Sequence, residues 1–244
     1  MKVKDIYNFL DSISPFSLQE KWDNSGLIVG NMEDKFENIY ISLDLDLEMI
    51  EKIEPKSLII THHPLIFSPI KTVNDDRYAT KLLKILIKKD IALISMHTNI
   101  DKTHLNSYVG NDILGLNFEK SDDFVLTTKV DMSFEELQEY IKKKLGITTL
   151  KVTDSTKKIK TLSLTTGSGM SLLPYIKTDC FLTGDIKYHE AMEAKALGIS
   201  LIDIGHFESE IHFCTLLEGL IQDYLKKNNK TAIIVASQNP FEYK

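Results

Sequence analysis

Arginine is nearly absent from this chain. Of 29 basic residues in a total of 244, only Arg77 is arginine and the rest are lysine. Planar guanidinium forks grip phosphate backbones best, and the formal net charge is −6, so nucleic acid is not an expected partner. Cysteine is also scarce. Cys180 and Cys214 are too few for a disulfide framework and lack CxxC spacing. They fit a reducing compartment, where buried thiols behave as small apolar side chains. No apolar run approaches the roughly 18 residues that a membrane span needs. Charges interrupt every apolar stretch of the N-terminal MKVKDIYNFLDSIS, which leaves no signal-peptide core. A cytoplasmic protein without a membrane is expected.

The rest of the composition is ordinary. Apolar residues make up 43% and charged residues 26%, as in globular domains, which excludes disorder, collagen and coiled coil. A chain of this length forms one large domain or two small, intimately packed ones. It can bury roughly 70–75% of its unfolded surface and needs no disulfide or structural metal to fold.

Apolar periodicity gives a helix over VKDIYNFLDSIS, ending before Pro15, with Val3, Ile6, Tyr7 and Leu10 at helical spacing. Short apolar runs then follow at 26–30, 38–44, 57–61 and 91–96, with helical patterns at 45–54 and 78–89. Strands separated by helices of that length read as βαβ units around a largely parallel sheet. A second set comprises strands at 124–130, 149–153, 158–166, 179–183, 200–205 and 231–236, with helices at 133–145, 187–197 and 207–227. The expected fold class is α/β, with two similar lobes built on mostly parallel central sheets. The approximate lobes are 1–120 with 200–244, and 121–199, acting as a single functional unit.

Histidines collect just after the expected strands. His62 and His63 close SLIIT, His97 closes IALISM and His206 closes SLIDIG. In open α/β sheets, ligands bind outside the carboxyl ends of strands, so these imidazoles can converge. Asp101 follows His97 by four residues, and Glu210 follows His206 by four on a helix turn, where both share a face. One histidine at a strand end is ordinarily a hydrogen-bonded structural residue; His104, in a loop, and His212, off the Glu210 face, are read as having no role in a site. Adjacent residues in extended backbone point in opposite directions, so His62 and His63 would each face a different ion. Imidazole and carboxylate donors suit Zn, Fe, Mn, Co or Ni. A metal pair about 3.5–4 Å apart activates a shared water, which makes hydrolysis the natural chemistry.

Three other motifs have plainer readings. In WDNSG, Asp23 and Asn24 fit a turn before the strand at 26–30 better than a substrate contact. TGSGMS (166–171) lacks the GxxxxGK[ST] pattern and reads as a tight strand–helix turn. In TGDIKYHE, helix capping would explain Asp185 but not His189.

The strings WDNSGLIVG, IITHHPLIF, SMHTNIDKTH, TGSGMSLLP, TGDIKYHEA and DIGHFESE resemble, in order, the YbgI-like family. This family is also called NIF-three-like, and its bacterial members are labelled GTP cyclohydrolase 1 type 2 homologues. The resemblance implies a two-lobed α/β protein with a dinuclear metal centre in the cleft between the lobes, assembled as a toroidal homohexamer. It implies two divalent ions per chain, one held by His62, Asp101 and Glu210 and the other by His63, His206 and Glu210. His97 and His189 would act in proton transfer or substrate binding. The implied activity is metal-dependent hydrolysis of a small-molecule substrate through a metal-bridging hydroxide, with a nucleotide among the candidates. The alternative is a non-catalytic metal-binding, regulatory or scaffold protein.

Overall fold

A computed structural model describes residues 1–242. In chain order its helices are α1 (Val3–Ile13), α2 (Leu47–Lys52), α3 (Tyr78–Lys88), α4 (Thr98–Ile100), α5 (Phe134–Leu145), α6 (Tyr188–Ala196), α7 (His206–Glu210) and α8 (Phe213–Lys227). The strands are β1 (Gly26–Val29), β2 (Ile39–Ser42), β3 (Leu58–Thr61), β4 (Ala92–Ser95), β5 (Glu119–Lys120), β6 (Leu126–Ser133), β7 (Lys151–Thr153), β8 (Lys158–Leu164), β9 (Cys180–Thr183), β10 (Ser200–Asp203) and β11 (Ala232–Ile234). They form a mixed α/β structure with two sheets, in two compact units. The first unit comprises Met1–Ile100 and Phe213–Pro240; the second comprises Asp101–His212 with Phe241 and Glu242. Its boundaries differ from the lobes expected from sequence, because β10 pairs with β9 and β7 and so places residues 200–203 in the second sheet. Among the described residues, no helix is long and apolar enough to cross a membrane.

The first unit is built on a sheet of order β1-β4-β3-β2-β11. Strands β4, β3, β2 and β11 run parallel, and β1 joins β4 antiparallel. Its central strands are apolar because both sheet faces are covered. Leu58, Ile59 and Ile60 are each fully buried. On one face Tyr40, Ile59 and Leu93 pack against Met49 and Ile50 of α2 and Leu82 and Leu86 of α3. A buried side chain of that kind contributes about 1.5–3 kcal/mol. The short helix α2 starts at Asp46, whose carboxylate accepts from Met49 N–H at 2.7 Å. Its last carbonyls are satisfied by Lys89, whose Nζ donates to Ile50, Glu51 and Ile53 O at 2.7–2.9 Å. Helices α1 and α8 pack together through Phe9 and Tyr224, stacked at 4.1 Å.

The second unit has a six-stranded sheet of order β5-β6-β8-β9-β10-β7. Here the expectation of a mostly parallel sheet needs correction. Only β8, β9 and β10 run parallel, and β5, β6 and β7 are added antiparallel. The connections from β8 to β9 and from β9 to β10 carry helical turns and return the chain parallel, whereas β6 lies antiparallel to β8 although α5 stands between them. The alternation of strands and helices in sequence does not record strand direction. Helix α5 carries a reciprocal cap: Ser133 Oγ accepts from Glu136 N–H at 3.1 Å, and Glu136 accepts from Ser133 N–H at 2.7 Å. Gly146, at φ 68°, ends it in the left-handed region.

The helix expected at 207–227 is in fact two. Helix α7 stops at Glu210 and α8 begins at Phe213, at the division between the two units. Sequence periodicity carried straight across because Phe213, Leu217, Ile221 and Leu225 continue a buried stripe. Two stretches of wide helical turn, Asp101–Leu105 and Tyr108–Ile113, follow α4 and were not anticipated.

Candidate metal centre

In the first unit, register places the donors. Thr61 and Ser95, the last residues of neighbouring parallel strands β3 and β4, are paired in register. Their hydroxyls meet at 2.9 Å. The chain leaves both strands side by side, so His62, His63 and His97 emerge at the carboxyl end of the sheet. Donor atoms of these three histidines lie within 4.8 Å of one another. The backbone bends at once after Thr61, with His62 N–H and His63 N–H both donating to Leu43 O at 3.2 Å. The pair is therefore not extended, and the expected divergence of the two rings is absent. Their centroids are 4.9 Å apart.

Each of these rings is fixed at Nδ1. His62, fully buried, has Nδ1 at 2.8 Å from Met96 O. A carbonyl only accepts, so Nδ1 carries the hydrogen and the neutral ring keeps its lone pair on Nε2. His63 Nδ1 lies 2.8 Å from Asp44 Oδ1, and His97 Nδ1 lies 2.7 Å from Asp23 Oδ1. Asp23 also accepts from Thr98 N–H at 3.1 Å and from the Ser25 hydroxyl at 3.0 Å. Burial alone would push the Asp23 carboxyl up. The His97 ring, the Thr98 hydroxyl and Asn24 N–H outweigh it and hold the group well below the usual carboxylate range. Asp23 thus makes the expected turn, but it also orients a histidine.

The second unit repeats the logic. Its parallel strands β8, β9 and β10 end beside one another, and Gly167, Asp185 and His206 lie just beyond those ends. His206 Nδ1 is 2.7 Å from Asp185 Oδ2, and its Nε2 is 2.9 Å from Glu210 Oε2. The i, i+4 spacing on α7 brings this last pair together as the sequence suggested. Glu210 is buried. A donor oxygen of Asp101, from the opening wide turn, lies within 4.8 Å of one from Glu210.

The TGSGMS segment is a tight turn that wraps the Glu210 carboxylate. Gly167 sits at φ 61°, and a Cβ placed there would lie 2.0 Å from Glu210 Oε1. Gly167 N–H donates to Ser209 Oγ at 3.0 Å, and Gly169 N–H to Thr183 Oγ1 at 2.8 Å. Asp185 does not cap α6. Lys187 stands at that cap, while the Asp185 carboxylate goes to His206.

The remaining histidines stand apart. His189 is exposed on the first turn of α6, edge-on to Tyr188 at 5.2 Å. Among the described residues, no group of three ligand-type side chains includes it. Burial lowers the pKa of both His104 and His212, which fits neutral structural rings. Sequence reasoning missed Asp44 as a partner of His63, although a carboxylate two residues past β2 was a legible signal. The role of Gly167 needed three dimensions.

The donors of each unit suit divalent cations: imidazoles held in the Nε2-donor form by carboxylate or carbonyl partners in both, with the buried Glu210 carboxylate beside His206 in the second. Residues 1–240 match the family model described as Duf34/NIF3 (NGG1p interacting factor 3). The chain belongs to this family. It is 48% identical over 244 residues to a Campylobacter jejuni protein named GTP cyclohydrolase 1 type 2 homolog, covering 100% of both chains. A Helicobacter pylori protein named GTP cyclohydrolase 1 type 2 is 41% identical, with 98% of each chain covered. Among solved structures, Staphylococcus aureus protein SA1388 superposes with a TM-score of 0.85 at 26% identity, covering 100% of this chain and 99% of that one. The fold is thus shared with a solved structure across the full length of the chain.

Proposed function

We propose that this protein is a hydrolase dependent on two divalent metal ions. His62, Asp101 and Glu210 would hold one ion; His63, His206 and Glu210 would hold the other, with Glu210 shared. One observation carries the reading. His62, His63, His97 and His206 each have Nδ1 anchored on an oxygen at 2.7–2.8 Å, the second-sphere arrangement that orients histidine ligands. A hydrogen-bonded structural histidine is ordinary by itself; here every histidine just past the ends of β3, β4 and β10 is anchored in the same way at Nδ1.

When bound, such an ion pair supplies Lewis acidity and lowers the pKa of water. Zn, Fe, Mn, Co or Ni would suit the donors. The chain's own groups do the rest. His97 holds or returns a proton at Nε2, because its Nδ1 is fixed by Asp23. His189 is assigned the outer role of a substrate contact from the first turn of α6. The substrate is a small molecule with an electrophilic carbon or phosphorus, and the names of the relatives put GTP first on the panel. The working form is a homohexamer in the cytoplasm, consistent with two buried free thiols.

The test is metal analysis of protein purified without added metal, followed by turnover on nucleotides and phosphoesters. Wild type is expected to carry two ions per chain; His63→Ala and Glu210→Ala should lose that stoichiometry with unchanged circular dichroism. A full pair retained by either variant would overturn the ligand assignment. Two ions with no turnover on any substrate would favour a non-catalytic metal carrier. Light scattering tests the hexamer.

A further inference from the structure

Two large aromatic side chains stand in solvent beside His97. Trp22 is 57% exposed and Phe67 is 53% exposed. Their ring centroids are 5.8 Å apart with planes tilted by 54°. The His97 ring stands nearly perpendicular to both, with its centroid 6.1 Å from that of Trp22 and 6.3 Å from that of Phe67. The three rings therefore form a near-equilateral triangle, and more than half of the surface of Trp22 and of Phe67 is open to solvent.

The loops under these rings are pinned. Asn24 Nδ2 donates to Ile66 O at 2.6 Å, tying the Trp22 turn to the Phe67 loop. Gln19 clamps the same turn, its Oε1 accepting from Ser25 N–H at 2.7 Å and its Nε2 donating to Ser25 O at 3.2 Å. Glu20 N–H donates to Thr98 Oγ1 at 3.0 Å. A fixed aromatic pair binds a flat partner with little ordering cost. The apolar island is also small. Lys21, Asn24 and Ser68 around it are exposed and polar, whereas a stable protein interface needs about 800 Å² per partner.

We propose that Trp22 and Phe67 form a stacking seat for a planar heteroaromatic ring, which delivers the substrate to the Nε2 edge of His97. The seat rests on the reading of His97 as a group on the substrate side of the site, but its binding test does not use metal content or turnover. Offset stacking on an aromatic face is tolerant of the ring's substituents, so the seat selects flatness first.

Trp22 is the chain's one tryptophan, which makes its fluorescence a reporter located in the seat. Adenosine and guanosine are the probes, with ribose as the control. The expected result is saturable quenching by both nucleosides and none by ribose. Phe67→Ala should raise the half-saturation concentration about tenfold, in line with the loss of one stacking partner, and Phe67→Tyr should restore it. Calorimetric titration of Trp22→Leu should show the same loss. Metal content and hexamer mass are expected to stay at wild-type values in all three variants. Absence of saturable quenching, equal quenching by ribose, or an unchanged half-saturation in Phe67→Ala would overturn the seat. Dissociation of the assembly by Phe67→Ala would overturn it too, by showing that another copy covers the rings. If the seat binds nucleosides while the metal test fails, the seat stands and the hydrolase reading falls.

Discussion

Asp185 reaches His206 from a backbone conformation that few side chains adopt: its φ is 55°, and its Oδ2 lies 2.7 Å from His206 Nδ1. Left-handed backbone at a non-glycine residue costs of order 1–3 kcal/mol. It persists here between β9 and α6 because the Asp185 carboxylate is needed where the chain turns. Asp185→Gly separates the two effects. Glycine relieves the backbone and removes the oxygen that holds the imidazole. The melting temperature is expected to stay level or rise, while divalent-ion affinity falls about 10–100-fold, the usual loss for a second-sphere partner. Chelator competition and thermal unfolding on the same preparation measure both; unchanged affinity would remove Asp185 from the metal site.

Gly167 sets the space for Glu210. A methyl group there would lie 2.0 Å from Oε1 and 2.9 Å from Cδ of Glu210, at a φ of 61°. Gly167→Ala therefore strains the turn and displaces the carboxylate. Destabilisation of about 1–3 kcal/mol is expected from urea unfolding. Because Glu210 is proposed to touch both ions, neither ion should bind stoichiometrically in this variant. Retention of both with only the stability loss would show that the carboxylate can move aside and still serve.

Much of this was legible in the sequence, for physical reasons that differ by element. The strands β2, β3, β4, β9 and β10 are continuous apolar runs, and their lengths fixed them as buried parallel strands. The i, i+4 spacing of His206 and Glu210 needed only helical geometry, and it holds at 2.9 Å. Other features needed tertiary register. The His62–His63 bend depends on Leu43 O in the neighbouring chain segment, which no local pattern announces. Asp185 looked like a cap because an acid just before a helix usually is one; its real partner is 21 residues away. The break between α7 and α8 was hidden because one buried stripe suits both a single helix and two.

The two cysteines should be inert in the native protein. Burial pushes the Cys214 thiol up to about 12, with the nearby Asp44 charge adding to the effect. Burial raises Cys180 further, with Asp179 adding to it. A thiol whose folded pKa is raised stays protonated, and the thiolate is the reactive form. Disulfide-exchange reagents at pH 8 should label neither site until denaturant is added. The sign for stability follows. The native preference for the neutral thiols is fully present below the unfolded thiol pKa of about 8.5 and is lost as pH rises through that value towards the folded one. Unfolding midpoints should fall above that pH, and Cys214→Ala should reduce the slope.

Asp23 gives the opposite pH dependence. Its folded carboxyl lies well below the ordinary range, since the His97, Thr98 and Asn24 contacts outweigh burial. A depressed folded pKa contributes stability that is present above the unfolded value of about 3.9 and is lost as pH falls towards the folded one. Urea unfolding at pH 5 and pH 3 should therefore show a drop in wild type that is smaller in Asp23→Asn. The amide still accepts from His97 Nδ1 but carries no charge, so the variant should fold and keep its donors in place. Nitrogen NMR of the His97 ring adds a second reading: a hydrogen fixed on Nδ1 is expected in wild type, and one shared between the two ring nitrogens in Asp23→Leu, where no acceptor remains. An unchanged tautomer in Asp23→Leu would mean that another group orients His97, and its proposed proton-transfer role at Nε2 would lose its structural basis.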